Sequence, residues 1–294
     1  MIGEGRIWFQ SNIRVAAYAR AGSLQQWQRS VAARAIGNRF LVFGIAYSLC
    51  GPLLYALNIP GVGIHVYGDS TTGKTTLLQI GSSCWGNGEH YKRSWRATAN
   101  GLEGVCVQHT DTLLVLDEIA EINARDLDQV AYFAINGQGK SRASRHGEAR
   151  PEMRWRVPIF SCGEQSVAGK LASDGRSIKA GQQMRLLDIP VSGKYGLFDN
   201  LHGFESGAAF SDALRSAANT DYGHVGPELV RTILEKGNAS AVKRTCVLRP
   251  ASGNRQLAGK QGSEPNFRPG CACRGVGHIR RNPPLAERHC HAKR

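Results

Sequence analysis

The sequence predicts an α/β fold with a central, mostly parallel sheet flanked by helices, and three observations carry that expectation. A β-favouring run, Ile64, Val66 and Tyr67, leads straight into Gly68-Asp69-Ser70-Thr71-Thr72-Gly73-Lys74-Thr75, after which Thr75, Leu77, Leu78 and Ile80 open a helix. A second run, Thr112 to Leu116, is continuously apolar and ends in Asp117-Glu118. Such a run, as opposed to an alternating pattern, belongs to a parallel strand covered on both faces. Two further short strands, Trp155 to Cys162 and Leu186 to Pro190, are each followed or preceded by helical stretches. Strand, glycine loop and helix in this order describe a P-loop NTPase core.

The loop's chemistry follows from its residue types. Gly68 and Gly73 let the backbone turn its N–H groups toward one phosphate, Lys74 reaches β/γ oxygens, and the Thr75 hydroxyl suits Mg²⁺. The expected ligand is ATP with Mg²⁺, held by Gly68, Asp69, Ser70, Thr71, Thr72, Gly73, Lys74, Thr75 and Thr76. Ligands of open α/β sheets bind at the carboxyl ends of the strands, which places Asp117 and Glu118 beside the nucleotide. Asp117 is expected to join Thr75 around the metal, and Glu118 to act with Lys74 in catalysis by polarising the attacking water. An ordinary helix cap is the alternative reading of the two acids; a full phosphate loop 43 residues before Asp117 favours the catalytic one. Glu121 and Glu164 are next in line as the base.

The remaining elements follow in order. Ser23 can cap a helix over Leu24 to Ile36. Phe40 to Leu57 is an uncharged, mostly apolar run of 18 residues, long enough to raise a membrane span. Gly44 and Gly51-Pro52 interrupt it, so a buried helical pair is expected instead. Gly81 to Gly88 reads as a turn-rich connection, and Tyr91 to Thr98 alternates aromatic and basic residues. Ala99 to His109 can form a helix with Leu102, Val105 and Val107 inward, and Ala120 to Phe133 a second. Asn136 to Gly147 is a glycine-rich basic loop whose Lys140, Arg142 and Arg145 suit either plain solvation or phosphate-backbone contact. Ser161 ends its strand where it would either sense a γ-phosphate or be a buried hydroxyl bonded to backbone, the reading that a lone Ser favours. Arg185 stands just ahead of the last strand. Helices over Gly207 to Ala218 and Glu228 to Lys236 close the body.

Charge divides unevenly. The net charge is +14, but 241–294 holds 12 Lys/Arg against 2 Asp/Glu, which leaves only +4 for residues 1–240. Overall basicity is therefore no argument for a polyanionic partner. The tail is rich in Arg, Gly, Pro, Cys and His with one aromatic residue beyond Thr245, Phe267, and is expected to be disordered. Its Cys271-x-Cys273, His278 and His289-Cys290-His291 lack the half-site spacing of a zinc finger, and an out-of-frame or foreign end explains them better. Cys50, Cys84, Cys106 and Cys162 read as small buried thiols in a reducing compartment. No secretory signal stands at the N-terminus, so the expected location is cytoplasmic. The expected organisation is a helical segment over 1–60, the ATPase core over 61–240 and the tail over 241–294.

With these motifs in place, the chain resembles the bacterial family called domain of unknown function 927. The resemblance rests on Gly68 to Thr76, Trp95 to Gly104, Leu116 to Ile119, Asn136 to Lys140 and Arg185 to Pro190, and covers about residues 1–240. It implies a helicase-like ATPase of mobile elements, commonly found with primase modules, and both ends of this chain depart from the family pattern as if truncated or altered. The strand led by Arg185 is similar to the arginine-finger strand of AAA+ and superfamily 3 helicases, which makes Arg185 a candidate acting on a neighbouring subunit of a ring. The expected activity is that of a motor on single-stranded or duplex DNA, working as a homo-oligomer with no membrane partner. A nucleotide-gated switch that remodels a protein and an inactive ATPase remnant are the alternatives.

Overall fold

The computed structural model describes residues 17–140, 152–173 and 186–235, all within the compact unit Met1–Pro250. The chain enters through α1 (Leu24–Trp27), a π-helical turn (Gln28–Ala32) and α2 (Ala33–Ala35), which run on as one helical stretch. The Ser23 hydroxyl accepts the Gln26 N–H at 3.1 Å and fixes its start. Next come α3 (Arg39–Ser48) and α4 (Gly51–Leu57). The core follows as β1 (Gly63–Tyr67), α5 (Lys74–Ser83), β2 (Arg93–Ser94), α6 (Ala99–Gln108), β3 (Leu114–Asp117), a 3₁₀ turn (Ile119–Glu121), α7 (Ala124–Asn136), β4 (Ile159–Gly163), α8 (Val167–Ser173) and β5 (Leu186–Pro190). Two helices finish it, α9 (Gly207–Thr220) and α10 (Val225–Glu235).

All five strands are parallel, in the order β2-β3-β4-β1-β5. The expected sheet is therefore present, with β1 inserted between β4 and β5. Side chains alternate across it. Leu113 and Val115 of the β3 region, Phe160 and Cys162 of β4 and Ile64 and Val66 of β1 face one apolar cluster, with α3, α5 and α9. Leu114, Leu116, Ile159 and Leu186 face the other, with α6, α7 and α8. Both faces are covered, as the unbroken apolar run of β3 requires.

The apolar run 40–57 is a helical pair, and among the described residues no helix is long and apolar enough to cross a membrane. Only the break at Gly51-Pro52 is real. Gly44 lies inside α3, where an added Cβ would stand 2.5 Å from Leu77 Cδ1 of α5; a Cβ on Gly81 would stand 2.5 Å from Ser48 Oγ of α3. These two glycines let α3 and α5 approach closely, so they serve packing and not chain breaking. Gly81 accordingly belongs to α5, which runs on to Ser83, and the turn-rich connection begins only after it. In α6, Leu102 and Cys106 are buried while Val107 is exposed, so the inward stripe is set by the former pair. Cys84, Cys106 and Cys162 are buried free thiols and Cys50 is half-buried.

His109, just after α6, is fully buried. Its Nδ1 lies 2.8 Å from the Leu113 carbonyl, which makes Nδ1 the protonated nitrogen, and Nε2 has no partner among the described residues. Burial, with Arg93 adding to it, pushes this imidazole down to about 4 from 6.5. The unfolded chain thus takes up a proton that the folded form refuses, and stability falls as pH drops through the window from 6.5 to about 4. At most about 3 kcal/mol is lost this way. His109→Asn keeps a donor for Leu113 and cannot titrate, so urea unfolding between pH 7 and 4.5 should show a shallower loss of stability with acid than the parent. An unchanged slope would assign the acid sensitivity to other groups.

Candidate active site at the carboxyl edge of the sheet

The strand register decides what meets at this edge. Tyr67, Gly163 and Pro190 pair across β4, β1 and β5, and Ser94 pairs with Asp117 at the far side. The loop 68–73 leaves β1 here and turns into α5 through Gly73, whose φ of 92° only glycine adopts without strain. Thr71, at φ 62°, is a non-glycine residue held in the left-handed region within the same loop. Lys74, in the first turn of α5, is buried under the loop. Its Nζ donates to the carbonyls of Gly68 at 2.8 Å and Asp69 at 2.6 Å and lies 3.4 Å from Thr72 Oγ1. Among the described residues the ammonium is thus held against the loop by neutral acceptors. Thr75 is exposed, while Thr76 is buried and its hydroxyl pairs with Ser211 of α9.

Ser70 to Thr76 form one wall of a cleft of about 600 Å³. Glu118, Cys162 and Glu164 line it from the ends of β3 and β4, and Tyr195, Gly196, Phe198, Ser211, Asp212 and Arg215 from the later segment and α9. The fold therefore brings Ser70 to Thr76 and Glu118 to one cleft, while Gly68, Asp69 and Asp117 are not among the residues that line it. Glu118 has φ 57°, and one carboxylate oxygen accepts the Ala120 N–H at 3.2 Å, capping the 3₁₀ turn. Glu164 accepts a hydrogen bond from the Ser70 hydroxyl across the cleft. Glu121 does not line it; its carboxylate accepts from Ser94.

Asp117 sits behind Glu118 and is well partnered. Lys92 Nζ lies 2.9 Å from its Oδ2, and Cys162 Sγ and the Glu118 N–H each lie 3.1 Å from its Oδ1. Burial pushes the Cys162 thiol up, and the charge on Asp117 adds to the shift, so sulfur donates here as S–H. Ser161 is the buried, bonded hydroxyl of the two readings, though its partners are side chains. His65 Nε2 faces the Gln165 carbonyl at 2.9 Å and must be protonated, leaving Nδ1 to accept from the Ser161 hydroxyl at 3.0 Å. Ser161 Oγ in turn accepts Trp95 Nε1–H at 2.8 Å. Burial lowers the His65 pKa, so this chain across β1 and β4 runs through a neutral ring.

Lys140 is exposed beyond α7 and does not line the cleft; its Nζ lies 3.4 Å from Gln129 Oε1. Arg142, Arg145 and Arg185 lie outside the described residues, as does the tail. Sequence reasoning missed Arg215, which was read only as part of a covering helix, and the segment 191–198. That segment braces the loop: the Leu197 N–H donates to the Thr72 carbonyl at 2.8 Å, and Phe198 packs under Gly73. No local signal could mark it, because the contact crosses more than a hundred residues.

The profile of the family described as "Domain of unknown function (DUF927)" matches residues 1–154, the stretch that holds the loop and both β3 acids. The chain belongs to the DUF927 family. Among solved structures, the SCCmec type IV Cch active helicase superposes with a TM-score of 0.58 at 21% identity, over 75% of this DUF927 chain and 39% of the helicase. That likeness is one of fold, and the chain spans about two-fifths of the helicase's length. Two looser superpositions do not bear on it: NtrX from Brucella abortus in complex with ADP (TM-score 0.33, 14% identity, 52% and 35% of the chains) and a JCV helicase bound to a small molecule (0.33, 13%, 78% and 68%). No curated protein matches the chain.

Gly196 offers a test of the brace. At φ 70° it is left-handed, and a Cβ would stand 2.6 Å from the Thr72 carbonyl oxygen. Gly196→Ala should displace the loop and weaken nucleotide binding by roughly tenfold or more, about 1.4 kcal/mol, measured by isothermal titration with ATP. Parental affinity would show that the brace is dispensable.

Proposed function

We propose that this DUF927 chain binds ATP with Mg²⁺ and hydrolyses it as the core of a helicase-like motor acting on DNA. The observation that carries the reading is the cleft itself: a phosphate loop over a buried lysine, faced by carboxylates from the ends of the neighbouring strands. Lys74 exchanges its carbonyl partners for phosphate oxygens, a charge-assisted contact in place of neutral ones. Thr75 lines the cleft with an exposed hydroxyl, and Asp117 stands beside Glu118 at the end of β3; both are oxygen donors of the kind a hard cation prefers and would hold it here. Bound Mg²⁺ would supply charge neutralisation at the β- and γ-phosphates. Glu118 takes the proton of the water as its oxygen bonds to the γ-phosphorus; the bond to the bridging oxygen breaks, and ADP departs with the electron pair. Arg215, exposed on the cleft wall, is a cation on the same chain, whereas Arg185 is proposed to act on a neighbour's nucleotide in a ring.

The nucleic-acid part of the proposal rests on Lys140, Arg142 and Arg145, with a cytoplasmic, mobile-element setting and a primase partner as its broader frame. The first measurement is the ATPase rate with and without single-stranded DNA. Stimulation supports the motor. Hydrolysis indifferent to DNA would favour the protein-remodelling switch, and none at all the remnant.

Single substitutions separate the roles. Lys74→Ala should abolish tight binding of ATP with Mg²⁺, measured calorimetrically. Glu118→Gln should keep binding and lose turnover by roughly 10²- to 10⁴-fold. Turnover at the parental rate would move the base to Glu164, which lines the cleft from the end of β4.

A further inference from the structure

Both oxygens of Asp117 are engaged in this structure, and its partners differ in how they would tolerate a cation arriving there. Cys162 and the Glu118 N–H hold Oδ1 as neutral donors, and they can remain on a carboxylate that also ligates a metal. Lys92 holds Oδ2 as a full positive charge at 2.9 Å, and an ammonium and a divalent cation repel one another at one carboxylate. Lys92 also has a second anion within reach. Its Nζ lies 3.3 Å from Glu89 Oε1, and the Glu89 carboxylate is half-exposed and fixed by the Gln79 side-chain amide. The Glu89 N–H is anchored in turn on the Asn87 and Asn219 side chains. Lys92 itself is only 9% exposed, so leaving both acids for water is the costly alternative.

We propose that Lys92 is a positioning residue that guards Asp117 in the absence of metal, and that metal binding transfers Lys92 from Asp117 to Glu89. The proposal rests on Asp117 as the metal-holding carboxylate. It explains why a lysine is buried at the mouth of β2, where Ser94 and Asp117 pair in register and the Trp95 N–H reaches the Asp117 carbonyl at 3.3 Å. It also makes the metal site respond to β2: whatever displaces the 89–95 segment changes the charge that Mg²⁺ meets.

The test is the Mg²⁺ concentration that half-saturates binding of a fluorescently labelled ATP, measured beside thermal unfolding in metal-free buffer. Lys92→Met should lower that midpoint by roughly tenfold, the worth of one charged contact that no longer competes. Glu89→Gln should raise it, because Lys92 loses its second anion and stays on Asp117. Lys92→Arg, which keeps the charge, should bind as the parent. Opposite shifts in the first two variants support the exchange. A raised midpoint in Lys92→Met, or lowered unfolding temperatures with no change in midpoint, overturns it, as Lys92 would then be organising or merely structural. Asp117→Asn separates the two levels: if it raises the midpoint while the Lys92 and Glu89 variants do not, the exchange fails and the metal role of Asp117 stands. If it too leaves the midpoint unmoved, that role fails and takes the exchange with it.

Discussion

The insertion of β1 between β4 and β5 is the constraint on which the site depends. β1 is hydrogen-bonded on both edges, so its direction and register are fixed by two neighbours, and the loop that leaves it has one place to go. That place lies between the end of β4, which brings Cys162 and Glu164, and the segment after β5, which brings Leu197 onto the loop carbonyl of Thr72. β3 pairs with β4 in turn and sets Asp117 and Glu118 at the same level. The site is thus assembled by backbone ladders before any side chain is chosen.

Such an edge collects polar groups, and the molecule satisfies its buried ones from within. Lys74 is held by carbonyls, Ser161 sits between Trp95 and His65, and Asp117 has three donors. The exceptions are conformational. Thr71 and Glu118 both occupy left-handed backbone that a side chain resists, and both line the cleft.

Much of this was legible in the chain. The loop motif is local, so its strand, glycines, lysine and helix were all in place from sequence, and the apolar run ending in Asp117-Glu118 announced a covered parallel strand. Other features do not carry their tertiary meaning. Gly44 and Gly81 resemble local breaks, but they are contacts between α3 and α5, and a glycine in a sequence does not say which. Val107 was placed inward because the period alone does not fix the phase of a short helix; Leu102 and Cys106 hold that face. Ser161 was legible as a buried hydroxyl, but its partners, on β1 and ahead of α6, were not.

The sequence by itself determined the fold class, the phosphate loop and the two acids at the end of β3, because each is written in short runs of consecutive residues whose spacing dictates a turn, a strand or a helix start. Only the tertiary structure decided that β1 lies between β4 and β5, that the Thr72 carbonyl is braced from residue 197, that Arg215 and Glu164 share the cleft with Glu118, and that Asp117 is paired with Lys92. The physical reason is the same in each case. These are contacts between segments far apart in the chain, set by strand order and register, and no local pattern of residues records which strands will become neighbours.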